Sequence, residues 1–293
     1  MSGRSQRQDA LLLMAHGSRD AEARQEYRRI HDALEARLSP TPVVFSVLEF
    51  PGDDLPSIQE GWSRCLAAGA TRIVALPFFL FPAGHVREDL PSELREAREA
   101  GGWADVELLP PLGAPDELLD AVEARAAAAA ESDADGNTAI VLVGAGTSDP
   151  DANGDLCKTA RLLWERLQDR YALVEPAWIS LTRPSVPETI DRCVKLGATR
   201  IAVVPFFLNT GVLLKRIDAR LAEAREAHAA VSIARGDHLG LHPRLLDLLE
   251  RRAREGLAGT AGIDGMTAVC GRPSCLSVVA GRIELARRPT QAV

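Results

Sequence analysis

The sequence predicts an α/β protein built from two tandem, doubly wound parallel-sheet lobes with a cleft between them. Three observations lead to this fold class. The segment "RCLAAGATRIVALPFFL" (64–80) returns as "RCVKLGATRIAVVPFFL" (192–208), and the two starts, residues 64 and 192, lie 128 positions apart. Apolar runs alternate with helical segments in both copies, as a parallel sheet with helical crossovers requires. The runs are apolar throughout, which is typical of strands covered by helices on both faces.

The first copy contains four predicted strands and four predicted helices in alternation. Each strand is a short apolar run, and each helix has apolar residues at helical spacing. The predicted strands are 11–15, 43–48, 73–79 and the short 106–109. The predicted helices that follow them are 21–38, 56–68, the charged amphipathic segment 86–100, and 115–130. In an open parallel sheet of this kind, ligands bind at the carboxyl ends of the strands.

The repeat also predicts how the chain is divided. An alanine-rich helix end followed by an acidic segment, "AAAAAESDADGNT" (126–138), separates the two copies. We expect a first lobe at residues 9–130, a linker at 131–138 and a second lobe at 139–256. A glycine-rich tail, residues 257–293, falls outside the repeat.

Composition narrows the class of protein. The chain has 293 residues, 46% of them hydrophobic, and a net charge of −7, which argues against nucleic-acid binding through a basic surface. The five cysteines are scattered in a long chain and do not indicate a disulfide framework. The polar first residues and the lack of an apolar run of ~18 residues predict a cytoplasmic protein without a membrane anchor. We expect a monomer or a homodimer.

Three potential metal ligands follow the first three strands of the first copy. His16 ends "LLLMAH", Glu49 comes directly after the strand 43–48, and His85 ends "FFLFPAGH". Because the carboxyl ends of parallel strands meet at one edge of the sheet, we expect these side chains to lie close together. Imidazole and carboxylate donors suit first-row divalent metals such as Co, Fe, Ni or Zn. Three protein ligands with open positions indicate a working metal site, not a sealed structural one.

The second copy offers an internal comparison. Alignment of the two copies places Ala145 at the position of His16, Thr182 at that of Glu49 and Val212 at that of the second histidine. All three candidate ligands are absent there, although the strand-forming residues persist. Residues needed for folding would be expected in both copies, so the difference predicts a functional role.

With these features the chain resembles the class II tetrapyrrole chelatases, the sirohydrochlorin chelatases of the CbiX/SirB type, in their long, duplicated form. The resemblance rests on "HGSRD", "FSVLEFPGDDLPSI" and "GATRIVALPFFLFPAGHVREDLP" and covers roughly residues 9–250. It implies a metal-inserting lyase that places Co²⁺ or Fe²⁺ into sirohydrochlorin, yielding a precursor of cobalamin or sirohaem. It also implies that no nucleotide and no organic cofactor is needed.

The resemblance maps the active-site histidines of the family onto His16 and His85, and its acidic residue onto Glu49. Two pyrrole protons must leave the macrocycle as the metal enters. A neutral imidazole can hold the metal or accept a proton near neutral pH, and which histidine does so stays open. Glu49 is then a third ligand or a proton acceptor.

The implied substrate carries several carboxylates, so cationic and amide donors should line the rim of its site. The residues predicted to bind it, all close to the proposed metal ligands, are Ser18, Arg19, Gly84 and Arg87. The glycine would permit close approach of the ring. Segments 144–149 and 209–211 of the second copy would form the opposite wall.

Other interpretations of these residues stay open. They are nickel insertion, a tetrapyrrole carrier or metallochaperone that binds without insertion, and a phosphate-binding hydrolase. The last lacks a glycine-rich phosphate loop. Cys270 and Cys275 in the tail supply two thiolates, whereas an iron–sulfur cluster is normally held by four, so we expect no cluster. The residues do not distinguish cobalt from iron, since selectivity between such metals follows their availability.

Overall fold

The computed structural model describes residues 8–130 and 137–259 of the chain. The first range contains β1 (Asp9–Ala15), α1 (Ala21–Leu38), β2 (Val43–Val47), α2 (Ile58–Ala67), β3 (Arg72–Pro77), a π-helical turn (His85–Asp89), α3 (Leu90–Gly101), β4 (Asp105–Leu108) and α4 (Asp116–Ala130). The second contains β5 (Thr138–Gly144), α5 (Pro150–Leu167), β6 (Leu173–Trp178), α6 (Val186–Lys195), β7 (Arg200–Pro205), α7 (Val212–Ala227), β8 (Ser232–Arg235) and α8 (Pro243–Ala258). Within these ranges, no helix combines the length and apolarity that a bilayer crossing requires.

The strands form two four-stranded parallel sheets, ordered β2-β1-β3-β4 and β6-β5-β7-β8. In each sheet the chain begins on an inner strand, adds a neighbour on one side and then crosses over to the other side. Leu13 of β1, for example, pairs with Phe45 of β2 and with Leu76 of β3. The direction in which strands are added reverses beside β1 in the first sheet and beside β5 in the second, which makes both sheets doubly wound. The predicted fold class is confirmed.

The strand β1 shows why its sequence is apolar without interruption. Successive side chains of a strand point to opposite faces of the sheet. Leu11 and Leu13 therefore enter the central core, whereas Leu12 and Met14 enter the core beneath α2 and α3. All four side chains are fully buried. A polar residue at any of these positions would be placed in a core.

The last helix of each half packs on the sheet of the other half. The helix α4 lies against β7 and β8, and α8 lies against β1 and β3. Gly256 of α8 approaches β3 so closely that a Cβ on it would lie 2.6 Å from a side-chain carbon of Val74. The helices α1, α4, α5 and α8 share one central core with residues of both sheets. The two copies are thus interlocked, which the division into lobes by sequence did not anticipate.

Two helices begin two or more residues later than the sequence predicts, whereas α4 begins one residue later. The predicted helix 56–68 begins at Ile58 because Ser57 caps it: the Glu60 N–H donates to Ser57 Oγ over 3.2 Å, and the Ser57 N–H donates to the Glu60 carboxylate over 3.0 Å. This reciprocal pair satisfies two backbone donors that the first turn leaves free. The predicted helix 86–100 differs more, because it starts with the π-helical turn before continuing as α3.

Candidate functional site

The loop after β1 is a tight turn that brings His16 and Glu49 together. Gly17 in this loop has a φ of +98°, and a Cβ on it would lie 1.9 Å from the carbonyl oxygen of Glu49. Only glycine fits at such a position. Parallel pairing continues past the strand ends, since the Glu49 N–H donates to the His16 carbonyl over 2.8 Å. The backbones of the two predicted ligands therefore lie side by side.

The side chains of this pair suit a single metal ion. His16 Nε2 lies 3.8 Å from Glu49 Oε1, and the two side chains are 44% and 43% exposed. Two ligands of one metal, each about 2.1 Å from it, are at most ~4.2 Å apart. His16 Nδ1 lies 3.3 Å from the carbonyl oxygen of Gly17, which favours the proton on Nδ1. This tautomer leaves the Nε2 lone pair facing the carboxylate, where a metal could bind.

The second lobe repeats the turn without these ligands. Gly146 has a φ of +83°, and a Cβ on it would lie 1.9 Å from the carbonyl oxygen of Ser180, whose N–H donates to Ala145. The structural counterpart of Glu49 is therefore Ser180. The alignment with Thr182 was wrong, because the loop after β6 is shorter than the loop after β2. The turn is a property of the fold, whereas the imidazole and the carboxylate belong to the first lobe alone.

His85 is the first residue of the π-helical turn, and its side chain lies outside what the structure describes. This turn holds one residue more than the corresponding part of α7. The buried positions Val86 and Leu214 are 128 apart, whereas the next buried pair, Leu90 and Ile217, is 127 apart. His85 therefore corresponds to Leu213, and the alignment with Val212 was wrong by one residue. Such turns are frequent at functional sites. The extra residue lies in the lobe that carries the predicted ligands.

The described side chains contain no cluster of three or more His, Cys, Asp or Glu residues that could hold a metal. The side chain of His85, the proposed third ligand, is not among these described side chains. Cys270 and Cys275 also lie outside the described residues. Of the three proposed metal ligands, the structure places the His16 and Glu49 side chains together, and His85 remains a prediction.

Two of the predicted substrate-binding residues, Ser18 and Arg19, follow His16 closely in the chain, and a third, Gly84, precedes His85. Ser18 Oγ accepts a hydrogen bond from the Asp20 N–H over 3.1 Å, and the second lobe repeats this bond. The hydroxyl therefore serves the turn. The Arg19 guanidinium is exposed and lies 4.4 Å from the ring centroid of Phe50. Gly84 is exposed, and a Cβ on it would meet no atom within 4 Å, which leaves room for a ligand.

The fourth predicted residue, Arg87, joins the two lobes. Its guanidinium lies 3.2 Å from the carboxylate of Asp149, the residue that caps α5. The second lobe supplies the reciprocal pair, with Lys215 Nζ 3.0 Å from the carboxylate of Asp20, the cap of α1. The Lys215 ammonium holds the pKa of Asp20 below its ordinary value. Because a cation occupies this place in both copies, Arg87 contributes to the contact between lobes, at the carboxyl edges of both sheets.

Two further residues of α1 hold the loops around the site. Arg24 donates to the carbonyl oxygen of Phe50 over 2.6 Å. Glu26 accepts a hydrogen bond from the Thr210 N–H over 2.6 Å and lies 3.0 Å from His238 Nε2, across the lobe boundary. Sequence reasoning missed both residues. Their partners are far along the chain, so no local spacing rule identifies them.

Asp155 of α5 is a half-buried carboxylate near the contact between lobes. Burial raises its pKa from 3.8 to about 6, with Asp151 and Asp149 adding to the effect and Lys158 and Arg87 opposing it. The unfolded chain releases this proton at lower pH than the folded chain does. The ionised carboxylate therefore destabilises the fold, an effect that grows as pH rises from 3.8 to about 6 and is fully present at neutral pH.

We expect Asp155→Asn to stabilise the protein at pH 7.5 by about 1 kcal/mol, a value discounted for partial solvation of the carboxylate. The gain should shrink as the pH is lowered toward 4, because the wild-type side chain is then protonated in the fold. Urea unfolding at several pH values measures this. Asp169→Asn, at an exposed position, serves as the control. A gain that is the same at pH 7.5 and pH 4 would contradict the argument.

The fold is that of a duplicated α/β protein with a His16–Glu49 pair at the carboxyl edge of its first sheet, which the corresponding turn of the second sheet lacks. The sequence profile of the CbiX family matches residues 10–129 and 139–256. These two segments coincide with the two copies and cover most of the chain. The chain belongs to the CbiX family.

Curated relatives and solved structures agree with this assignment. The chain is 34% identical over 253 residues to a sirohydrochlorin cobaltochelatase of Priestia megaterium, covering 85% of this chain and 80% of the relative. A sirohydrochlorin ferrochelatase of Bacillus subtilis strain 168 is 28% identical over 255 residues, covering 86% and 94%. SirB from Bacillus subtilis with Fe³⁺ superposes with a TM-score of 0.76 at 28% identity, covering 87% of this chain and 98% of that one. The sirohydrochlorin chelatase SirB from the subspecies spizizenii, in complex with cobalt, gives a TM-score of 0.72 at 26% identity, covering 88% and 98%.

Proposed function

We propose that this chain inserts a divalent metal, Co²⁺ or Fe²⁺, into sirohydrochlorin. The observation that carries the proposal is the His16–Glu49 pair, which a glycine turn places in the first lobe while the same turn in the second lobe lacks it. The relatives named above are cobalto- and ferrochelatases, which supports the substrate and the two metals. His85 is the third proposed ligand.

The chemistry assigns a role to each side chain. One metal ion enters the macrocycle and two pyrrole N–H protons leave, so charge is conserved without an oxidant or a reductant. The Nε2 lone pair of His16 and the carboxylate of Glu49 hold the incoming ion, and the carboxylate partly compensates its charge. When the ion moves to the pyrrole nitrogens, the freed imidazole can accept one of the two displaced protons, and the other passes to the freed Glu49 carboxylate or to solvent.

Substrate contacts are proposed for the exposed residues beside the pair. The Arg19 guanidinium can bind a peripheral carboxylate of the macrocycle with charge-assisted hydrogen bonds. The open space at Gly84 admits the edge of the ring. Arg87 is paired with Asp149, so a substrate carboxylate would have to share its guanidinium. We therefore assign Arg19 the larger part in substrate binding.

The direct test is a metal-insertion assay under anaerobic conditions. The full-length protein is mixed with sirohydrochlorin and Co²⁺, Fe²⁺ or Ni²⁺, without nucleotide, and the absorbance spectrum of the macrocycle is followed. We expect insertion of Co²⁺ or Fe²⁺ well above the uncatalysed rate. Binding of sirohydrochlorin without acceleration would instead identify a carrier, and acceleration with Ni²⁺ alone would identify a nickel chelatase. Either outcome would overturn the proposal.

A further inference from the structure

The second lobe presents exposed apolar side chains one position away from the counterparts of two predicted metal ligands of the first lobe. Leu181 is 83% exposed and follows Ser180, the counterpart of Glu49. Val212 is 55% exposed and begins α7, one position before Leu213, the counterpart of His85. The strands β6 and β7, which precede these two residues, flank β5 in the sheet. An apolar pair thus lies at the carboxyl edge of the second sheet.

The backbone conformation at Leu181 is fixed by hydrogen bonds of the residues on either side of it. Its φ is +61°, in the left-handed region, and the Thr182 N–H donates to the Ser180 carbonyl over 2.7 Å, closing a three-residue turn around it. Ser180 Oγ also donates to the carbonyl of Ala145, which ties the turn to the end of β5. Within the described residues, only Phe50 and Leu181 combine a positive φ with a side chain. Because Phe50 follows Glu49 as Leu181 follows Ser180, the positive φ belongs to the turn in both lobes, and the second lobe differs in exposing a leucine there.

The two sheet edges lie next to each other. Lys215, in the first turn of α7 and three residues after Val212, contacts Asp20, four residues after His16. The ring of Phe81, in the loop that leads to the π-helical turn, lies 6.0 Å from the ring of Phe206 at the end of β7. These contacts place the carboxyl edge of the second sheet, with Val212 at the start of α7, beside the predicted metal site.

We infer that Leu181 and Val212 form an apolar wall that contacts the face of the tetrapyrrole ring, opposite the metal ligands of the first lobe. This inference rests on the proposed function and names the part of the second lobe that holds the substrate. The conjugated ring is flat and apolar, whereas its charges lie at the periphery. A second copy of the chain is a poorer occupant, because a stable protein interface buries at least about 1,200 Å², far more than two side chains supply.

The test is Leu181→Asn, because asparagine tolerates a positive φ and the variant should fold as well as the wild type or better. We expect the Kd and the KM for sirohydrochlorin to rise about tenfold from the loss of apolar contact. The kcat should stay within about threefold, because the wall contacts the substrate before and during the reaction alike. Val212→Asn should act in the same direction.

The control is Leu196→Asn, which changes a leucine that is 69% exposed but follows α6, at the opposite edge of the sheet. It should leave Kd, KM and kcat unchanged. Binding of metal-free sirohydrochlorin to the wild type, measured by ring absorbance, separates the two proposals. If the wild type does not bind the ring, the proposed function fails. If the wild type binds and both wall variants bind equally well, only the wall is refuted. A shift from dimer to monomer in Leu181→Asn, with unchanged substrate affinity, would show that a second copy covers this surface and would also refute it.

Discussion

Replacing His16 by alanine should lower kcat/KM for metal insertion by at least about 100-fold, the range typical of losing a group that acts on a proton or a metal. The imidazole is 44% exposed and lies 3.8 Å from Glu49 Oε1, so it supports the site more than the core. We therefore expect the free energy of unfolding to change by no more than about 0.5 kcal/mol. Insertion of Co²⁺ and Fe²⁺, followed by absorbance, and urea unfolding measure the two effects.

His228→Ala is the matched control for this variant. His228 caps the end of α7, away from the carboxyl edges of the sheets, so its loss removes an imidazole without touching the pair. Calorimetric titration with Co²⁺ adds a readout that does not depend on turnover. The His16 variant should bind Co²⁺ more weakly than both the wild type and the control. Wild-type insertion rates in His16→Ala would remove the basis of the proposed site.

Much of this site could be predicted because the chain carries its own comparison. The turn at Gly17 and the turn at Gly146 have the same geometry, so the residues that differ between them are the candidates for a functional role. His16 and Glu49 follow apolar runs whose ends are visible in the sequence. The meeting of the two residues then follows from parallel pairing alone, which places the carboxyl ends of neighbouring strands side by side.

The parts that could not be predicted depend on long-range packing or on single-residue shifts. The apolar face of α4 is the same whether it covers its own sheet or the other one, so periodicity does not reveal the helix exchange. The loop after β6 is shorter than the loop after β2, and the two loops have little sequence similarity. The sequence alignment therefore paired Glu49 with Thr182 and not with Ser180. The extra residue of the π-helical turn leaves Val86 and Leu90 four apart, a spacing that an ordinary helix also allows.

Replacing Arg72 by methionine should cost about 3 kcal/mol of the free energy of unfolding, because it breaks a buried ion-pair network. Arg72 begins β3 and is 7% exposed. Its guanidinium contacts the carboxylates of Asp9 and Glu107 and donates to the last carbonyl groups of α8, Gly256 and Leu257. Methionine fills similar volume but leaves two carboxylates and two carbonyl groups without this partner. Urea unfolding checks the magnitude.

Two further variants separate the network from a general effect of losing a cation. Arg161→Ala removes an exposed arginine paired with Glu165 at helical spacing, and such pairs contribute at most about 0.5 kcal/mol. The triple variant Asp9→Asn, Arg72→Met, Glu107→Gln carries no unpaired charge, so it should recover part of the loss. A triple variant less stable than Arg72→Met alone would contradict the explanation by uncompensated charge.

The variant Arg72→Met also tests whether the exchanged helices α4 and α8 couple the unfolding of the two halves. Arg72 lies in the first sheet but holds the end of α8, a helix from the second half of the chain. Trp62 reports on the outer core of the first half, and Trp178 belongs to the central core at the end of β6. The test uses two single-tryptophan backgrounds, one that keeps Trp62 and one that keeps Trp178. In both backgrounds, Arg72→Met should lower the urea midpoint of the fluorescence transition by the same amount. If the midpoint moved at Trp62 alone, the halves would unfold independently and the interlocked helices would not transmit stability between them.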